Sequence, residues 1–360
     1  MGGRQRWMTA VMALVVGMAA DGPLAAQPTQ LALKRLATIP EHAWAWGSDA
    51  GPVISGSKLY VPLGGRGMAI YDVSRPKAPR LVTTVSTALL GGQGAAVAAS
   101  RTRAYVAIPD QGAVVVLDVS NPAAPRRLAQ FASLPDIRKL VLRGRYLFVN
   151  AMSSTDYLGG VYVFDVSVNP PAPVGEYLTD LLDPGFFVSD SLIVYLARSP
   201  VTGDDFPKLD VIDMSEPGSP RLLGQWQSDY PGNVWNIDLR DGKLFLAAYW
   251  GGLWVLDATD PADLSLIARF DWDVPEAIAL AVQAAPPYVF VARSAFEGAR
   301  HYEVYKLTSG ALSLVRTLPA ELPPDSVYLS DNLLVLKDRE GTHIPNARAQ
   351  VRIFQVFRKQ

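Results

Sequence analysis

Residues 117–131 read "LDVSNPAAPRRLAQF"; residues 71–85 read "YDVSRPKAPRLVTTV" and residues 212–226 "IDMSEPGSPRLLGQW". Aligned on the aspartate, the pattern recurs at Asp72, Asp118, Asp165, Asp213 and Asp257, with spacings of 46, 47, 48 and 44 residues. Continuing the period reaches Lys306 and Gln355, so seven units emerge, the last two without the aspartate and proline. Each unit holds four short runs rich in Val, Ile, Leu, Tyr and Phe, broken by Gly, Asp, Ser or Pro. Such runs lack helical periodicity and read as strands. Four strands every 44–49 residues predict an all-β, seven-bladed β-propeller with four antiparallel strands per blade.

The repeated phrase has a physical reading as turn chemistry. It ends the third strand of a unit and turns into the fourth. Asp and Ser side chains accept hydrogen bonds from free backbone N–H groups in a turn. Proline fixes φ and donates nothing, so the strand ladder stops there. The last unit offers only three strands, in "SVYLSDN", "LLVLKDR" and "QVRIFQVF", whereas residues 31–39 supply a strand with no unit of their own. Pairing that segment with the last unit closes the ring and covers an open sheet edge. The units are expected at about 51–85, 94–132, 137–178, 185–226, 233–270, 275–318 and 325–360 plus 31–39, in one domain over residues 27–360.

"AIYDVSRP", "VVVLDVSNP", "VIDMSEP" and "LWVLDATDP" resemble the LVIVD-repeat family of exported bacterial β-propeller-like proteins. The resemblance covers about residues 30–360 and is strongest in units one, two, four and five. Unit three carries an extra residue in "DVSVNPPAP", and units six and seven depart from the motif. The resemblance implies the propeller fold and export. The Gly-His and Trp-Asp signatures of WD40 repeats are absent.

The N-terminus supports export. Arg4 and Arg6 precede an apolar run over residues 7–20, and small residues Ala25 and Ala26 follow. That is the anatomy of a secretory signal peptide spanning residues 1–26, with a periplasmic or secreted destination. The apolar run is short for a bilayer span, and no transmembrane segment is expected after cleavage. The 360-residue chain has no cysteine, so no disulfide supports it outside the cytoplasm. A net charge of −1 gives no basic surface for nucleic acid. A monomer is expected.

Function is read from the loops, because variable loops on a rigid scaffold carry binding. The turns after the third strands are regular. The opposite face carries the second-to-third loops and the blade-to-blade loops, which are rich in aromatic and acidic residues. The candidate ligand-binding set is Trp46, Asp49, Asp229, Tyr230, Trp235, Tyr249, Trp250, Asp271, Trp272 and Glu276. Aromatic faces beside carboxylates suit a sugar ring or a cation. The three histidines, His42, His301 and His343, show no zinc-site spacing, and no calcium loop is present, so no metal is expected. No pattern points to a cofactor, and neither a G-x-S-x-G elbow nor a phosphate-binding loop occurs. The leading expectation is a binding or interaction module with its ligand at the loop-rich axial face. The partner would be a small molecule, a glycan or an envelope protein. The alternatives are a hydrolase or lyase acting on a saccharide or lactone at that face, and a structural partner in an envelope assembly.

Overall fold

A computed structural model describes residues 31–42, 51–134, 136–153, 158–180, 182–198, 206–272, 277–295, 300–330, 332–339 and 348–358. Seven four-stranded antiparallel sheets form among them. Blade 1 begins at Val53–Ser55, blade 2 at Ala96–Ala99, blade 3 at Asp136–Arg143 and blade 4 at Leu182–Val188. Blade 5 begins at Asn236–Arg240, blade 6 at Ala277–Ala285 and blade 7 at Pro324–Ser330. In blades 1 to 6 the strands pair in sequence order, so each blade is a simple meander.

The closing strand is where the sequence puts it. Leu31–His42 pairs antiparallel with Arg348–Arg358 and supplies the fourth strand of blade 7. The register runs from Leu31 opposite Arg358 to His42 opposite Arg348.

Each blade packs face to face on its neighbours, which explains the nearly unbroken apolar runs of its inner strands. The core is a ring of seven clusters, one at each junction between adjacent blades. One of them joins blade 7 to blade 1, with Val335 and Ile353 against Leu59 and Val61. The fourth strands face solvent on the rim and alternate accordingly, with Leu81, Leu128, Leu178, Leu222, Leu266 and Leu314 exposed. Every fourth strand also carries one extra residue opposite the third strand. Such bulges increase local twist and blunt the edge against pairing with another chain.

The repeated aspartates are turn residues. Asp118 Oδ1 accepts the backbone N–H of Ser120 at 3.0 Å and its hydroxyl at 2.6 Å, and Oδ2 accepts from Arg126 at 2.8 Å. Asp213 repeats this with Ser215 at 3.0 and 2.7 Å and with Arg221 at 2.9 Å. Asp165 takes the two bonds from Ser167 and an ion pair with Arg145, and Asp257 takes the two from Thr259. These bonds hold the carboxylates below their ordinary range, Asp72 and Asp165 at about 2.

A second bond recurs in all seven blades. The residue after the aspartate position donates its N–H to the turn between the first two strands. Val119 donates to Thr102 at 2.9 Å, Met214 to Leu192 at 3.0 Å, and Leu307 to Pro287 and Val356 to Asn332, each at 2.8 Å. Blades 6 and 7 therefore keep the backbone tie after losing the carboxylate. The bond also puts the first hairpin turns on the same face as the motif turns.

Candidate functional site

Three of the expected site residues form one aromatic shelf on the loop-rich face of blade 5. Trp235 immediately precedes the first strand, and Tyr249 and Trp250 form the turn between the second and third strands. The rings of Trp235 and Tyr249 stack at 4.8 Å with 12° between planes. Trp250 stands edge-on to Tyr249 at 4.7 Å and is 58% exposed.

The turn that lifts this pair is tightly specified. Ala248 N–H bonds Gly252 O at 2.8 Å, and Gly252 has φ +86°, a left-handed conformation that disfavours a side chain. A Cβ on Gly252 would lie 2.1 Å from Phe270 O. Beneath the turn sits Trp254, fully buried, its indole N–H donating to Gly251 O at 2.6 Å. Tyr249 O accepts from Ala279 N at 2.9 Å, tying the shelf to the innermost strand of blade 6 and hence to the axis.

The remaining described candidates divide. Tyr230 and Asp271 sit towards the rim, joined through Arg269 of the outer strand. Its guanidinium lies 3.5 Å from the Tyr230 ring centroid and 2.8 Å from Asp271 Oδ2. Asp229, beside Tyr230, is exposed. Trp272 is not a loop-tip aromatic. Its indole N–H donates to Glu303 Oε2 at 2.7 Å and to Tyr305 Oη at 3.0 Å, and Arg293 lies 5.5 Å from its ring. Glu303 is buried and also pairs with His301 at 2.7 Å, so Trp272 belongs to an interblade polar cluster. Burial, with Glu303 beside it, pushes the Tyr305 hydroxyl well up. His301 opens the third strand of blade 6. Trp46, Asp49 and Glu276 lie outside the described residues. No group of three or more metal-ligating side chains occurs among the described residues.

A feature the sequence reading missed runs along the axis. The seven first strands enclose a cavity of about 400 Å³. Its wall includes Lys139 and Arg143 of blade 3, Asp238 and Arg240 of blade 5, and Asp325 of blade 7. Lys139 Nζ donates to Phe186 O at 2.8 Å. Asp238 is fully buried, pairs with Arg240 at 3.0 Å and accepts from Ala284 N at 2.8 Å. Burial raises its carboxyl to about 6. Asp325 pairs with the buried Lys337 at 3.1 Å. The available signal was a charged residue inside an otherwise apolar first strand, as in "NIDLR" and "IRKLVLR".

Solved structures of similar shape are propellers of distant sequence. A chain of the mitotic checkpoint complex superimposes with a TM-score of 0.66 at 12% identity, covering 96% of this chain and 99% of that one. The WD40 β-propeller domain of Doa1 gives 0.61 at 12% identity, with 90% and 97% covered. A chain of Kuenenia stuttgartiensis hydrazine synthase gives 0.61 at 13%, with 89% and 95% covered. At these identities the likeness concerns the fold. No curated protein matches the sequence. The LVIVD repeat model matches residues 51–87, 91–130, 203–227 and 231–271, which fall in blades 1, 2, 4 and 5. Where the motif keeps both its aspartate and its spacing, the chain thus carries LVIVD repeats, set in a seven-bladed β-propeller.

Proposed function

We propose that the protein is an exported binding module that takes a saccharide on the Trp235–Tyr249–Trp250 shelf. The observation carrying this reading is the stacked Trp235–Tyr249 pair with the exposed Trp250 beside it. A pre-stacked pair loses little side-chain freedom on binding, and its flat apolar surface matches the C–H face of a sugar ring. Exposed aromatics rigidly held by a turn are suited to contact with a ligand more than to core stability. Tyr230, Arg269 and Asp271 on the rim supply polar partners for hydroxyl or acidic substituents.

The test is a tryptophan-fluorescence titration with neutral and acidic glycans. Trp250→Ala should weaken binding by about tenfold, about 1.4 kcal/mol, with the melting temperature unchanged. Trp272→Ala should lower stability instead, because it removes the indole N–H donor from the buried Glu303 and a ring packed between blades 5 and 6. Equal affinity of Trp250→Ala and the parent protein for every glycan that binds, or quenching by none, would remove the reading. Export is checked separately by the N-terminus of protein recovered outside the cytoplasm, which should begin at Gln27.

A further inference from the structure

We propose that the axial channel is a second ligand site, holding a small oxyanion, carboxylate or phosphate, between Arg143 and Arg240. Each arginine is the last residue of its first strand, Asp136–Arg143 in blade 3 and Asn236–Arg240 in blade 5. That position places both at the channel mouth on the motif-bearing face, away from the aromatic shelf. Both line the same cavity of about 400 Å³, a volume suited to a small metabolite.

The two guanidinium groups are held alike. Arg143 Nη1 bonds the carbonyl of Leu142 at 3.1 Å, and Arg240 Nη1 bonds that of Leu239 at 2.8 Å. Arg143 Nε is fixed by Val188 O at 3.1 Å. The hydrogen bonds and ion pairs of the two side chains use Nε and Nη1 of Arg143 and Nη1 of Arg240. Nη2 of each therefore has no protein partner among the described residues, and guanidinium donors select planar or tetrahedral oxyanions.

The charge balance of the wall points the same way. It carries three cations, Lys139, Arg143 and Arg240, against the two carboxylates Asp238 and Asp325. Asp325 already neutralises Lys337 behind it. Asp190, 3.3 Å from Arg143 Nε, is fully solvent-exposed, so its attraction is screened. Burial pulls the Arg143 guanidinium below its ordinary value; Asp190 opposes this, and Arg240 adds to it. Cations confined in a low-dielectric channel focus an attractive field on an anion. The hydroxyl-bearing Tyr328 of blade 7 lines the same cavity and lies within electrostatic range of Arg143.

Inorganic phosphate and citrate serve as probes, titrated calorimetrically at constant ionic strength. Saturable binding of either one supports the site, and the better probe identifies the anion class. The paired variant Asp238→Asn/Arg240→Gln, which avoids stranding a buried carboxylate, should bind at least tenfold more weakly. Arg126→Gln, on the rim, should bind as the parent does. A readout that needs no variant is phenylglyoxal modification followed by peptide mass spectrometry. The bound probe should protect Arg143 and Arg240 severalfold and leave Arg126 unprotected. Failure of both probes to bind saturably, or equal modification with and without them, would overturn the proposal.

Discussion

Ile39→Ala is the sharpest perturbation of ring closure. Ile39 lies opposite Val351 in the closing strand and is 6% exposed. It packs in the core between blades 7 and 1 beside Leu59, Val61 and Ile353. Truncation removes three carbon groups, at about 0.8 kcal/mol each. The space left behind adds about 1 kcal/mol, because interblade packing is fixed from both sides. The expected loss is about 3 kcal/mol, measured by urea unfolding. Leu81→Ala is the matched control, since Leu81 is half exposed on the outer strand of blade 1 and should cost under about 1 kcal/mol. Deleting residues 31–42 should go further and cause aggregation, because the whole edge of Arg348–Arg358 is unpaired. If Ile39→Ala cost no more than Leu81→Ala, the closing strand would not be holding the ring.

Two pH-dependent outcomes follow from carboxyls shifted in opposite directions. The motif aspartates have lowered values, about 2 at Asp72 and Asp165, so their contribution is present above an unfolded value of about 3.9 and is lost as pH falls through the folded value. Asp213→Ala, which removes the bonds from Ser215 and Arg221, should cost about 1–2 kcal/mol at neutral pH. The difference from the parent should shrink as the pH is lowered below the ordinary carboxylate range in denaturant titrations; a pH-independent difference would contradict the turn assignment. Asp238 has the opposite sign: with its folded value raised to about 6, the protein gains stability as pH falls from about 7 to about 4. Asp238→Asn should abolish a gain of about 2–3 kcal/mol between those limits, read from thermal melts, and an unchanged gain would assign it to other groups.

The blade and its turn were legible because their causes are local. Asp118 and Ser120 are two residues apart and bond each other, so repetition of the motif is repetition of one physical event. Closure was legible from a strand too many at one end and too few at the other. The aromatic shelf was partly legible, since Tyr249 and Trp250 adjoin a Gly-Gly turn that forces them outward. Trp272 was not, because what turns it under its loop lies 31 and 33 residues away, at Glu303 and Tyr305. The axial site was hidden for a related reason. Each first strand contributes only a short stretch of the wall, and its neighbours in the wall lie a full blade away in sequence. Alternation within a short buried strand does not tell the lumen from the blade interior.

The loss of the motif in the last two blades raises the question of what fixes their register. Leu307 and Val356 keep the backbone tie to the first hairpin turn, but Lys306 and Gln355 stand where the earlier blades have the motif aspartate. A buried polar network lies across the junction instead. Asp338, fully buried, accepts from Tyr302 Oη of blade 6 at 2.7 Å, from Gln350 Nε2 at 2.7 Å and from Arg352 Nη2 at 3.0 Å. Arg352 Nη1 reaches back to Pro319 O at 2.7 Å. Such a network adds little net stability over apolar packing, because desolvation offsets the charge–charge attraction. It does penalise error. A two-residue slip of Arg348–Arg358 keeps every apolar residue on its own face, so hydrophobic patterning alone would tolerate it. The same slip would shift Gln350 and Arg352 out of their present register and break their bonds to Asp338, leaving Tyr302 alone in place among these donors to a buried carboxylate. That strand also receives the closing segment, so its register sets the pairing of Leu31–His42. In the early blades a local turn motif aligns each hairpin. In the blade completed by both ends of the chain, alignment rests on long-range buried polar contacts.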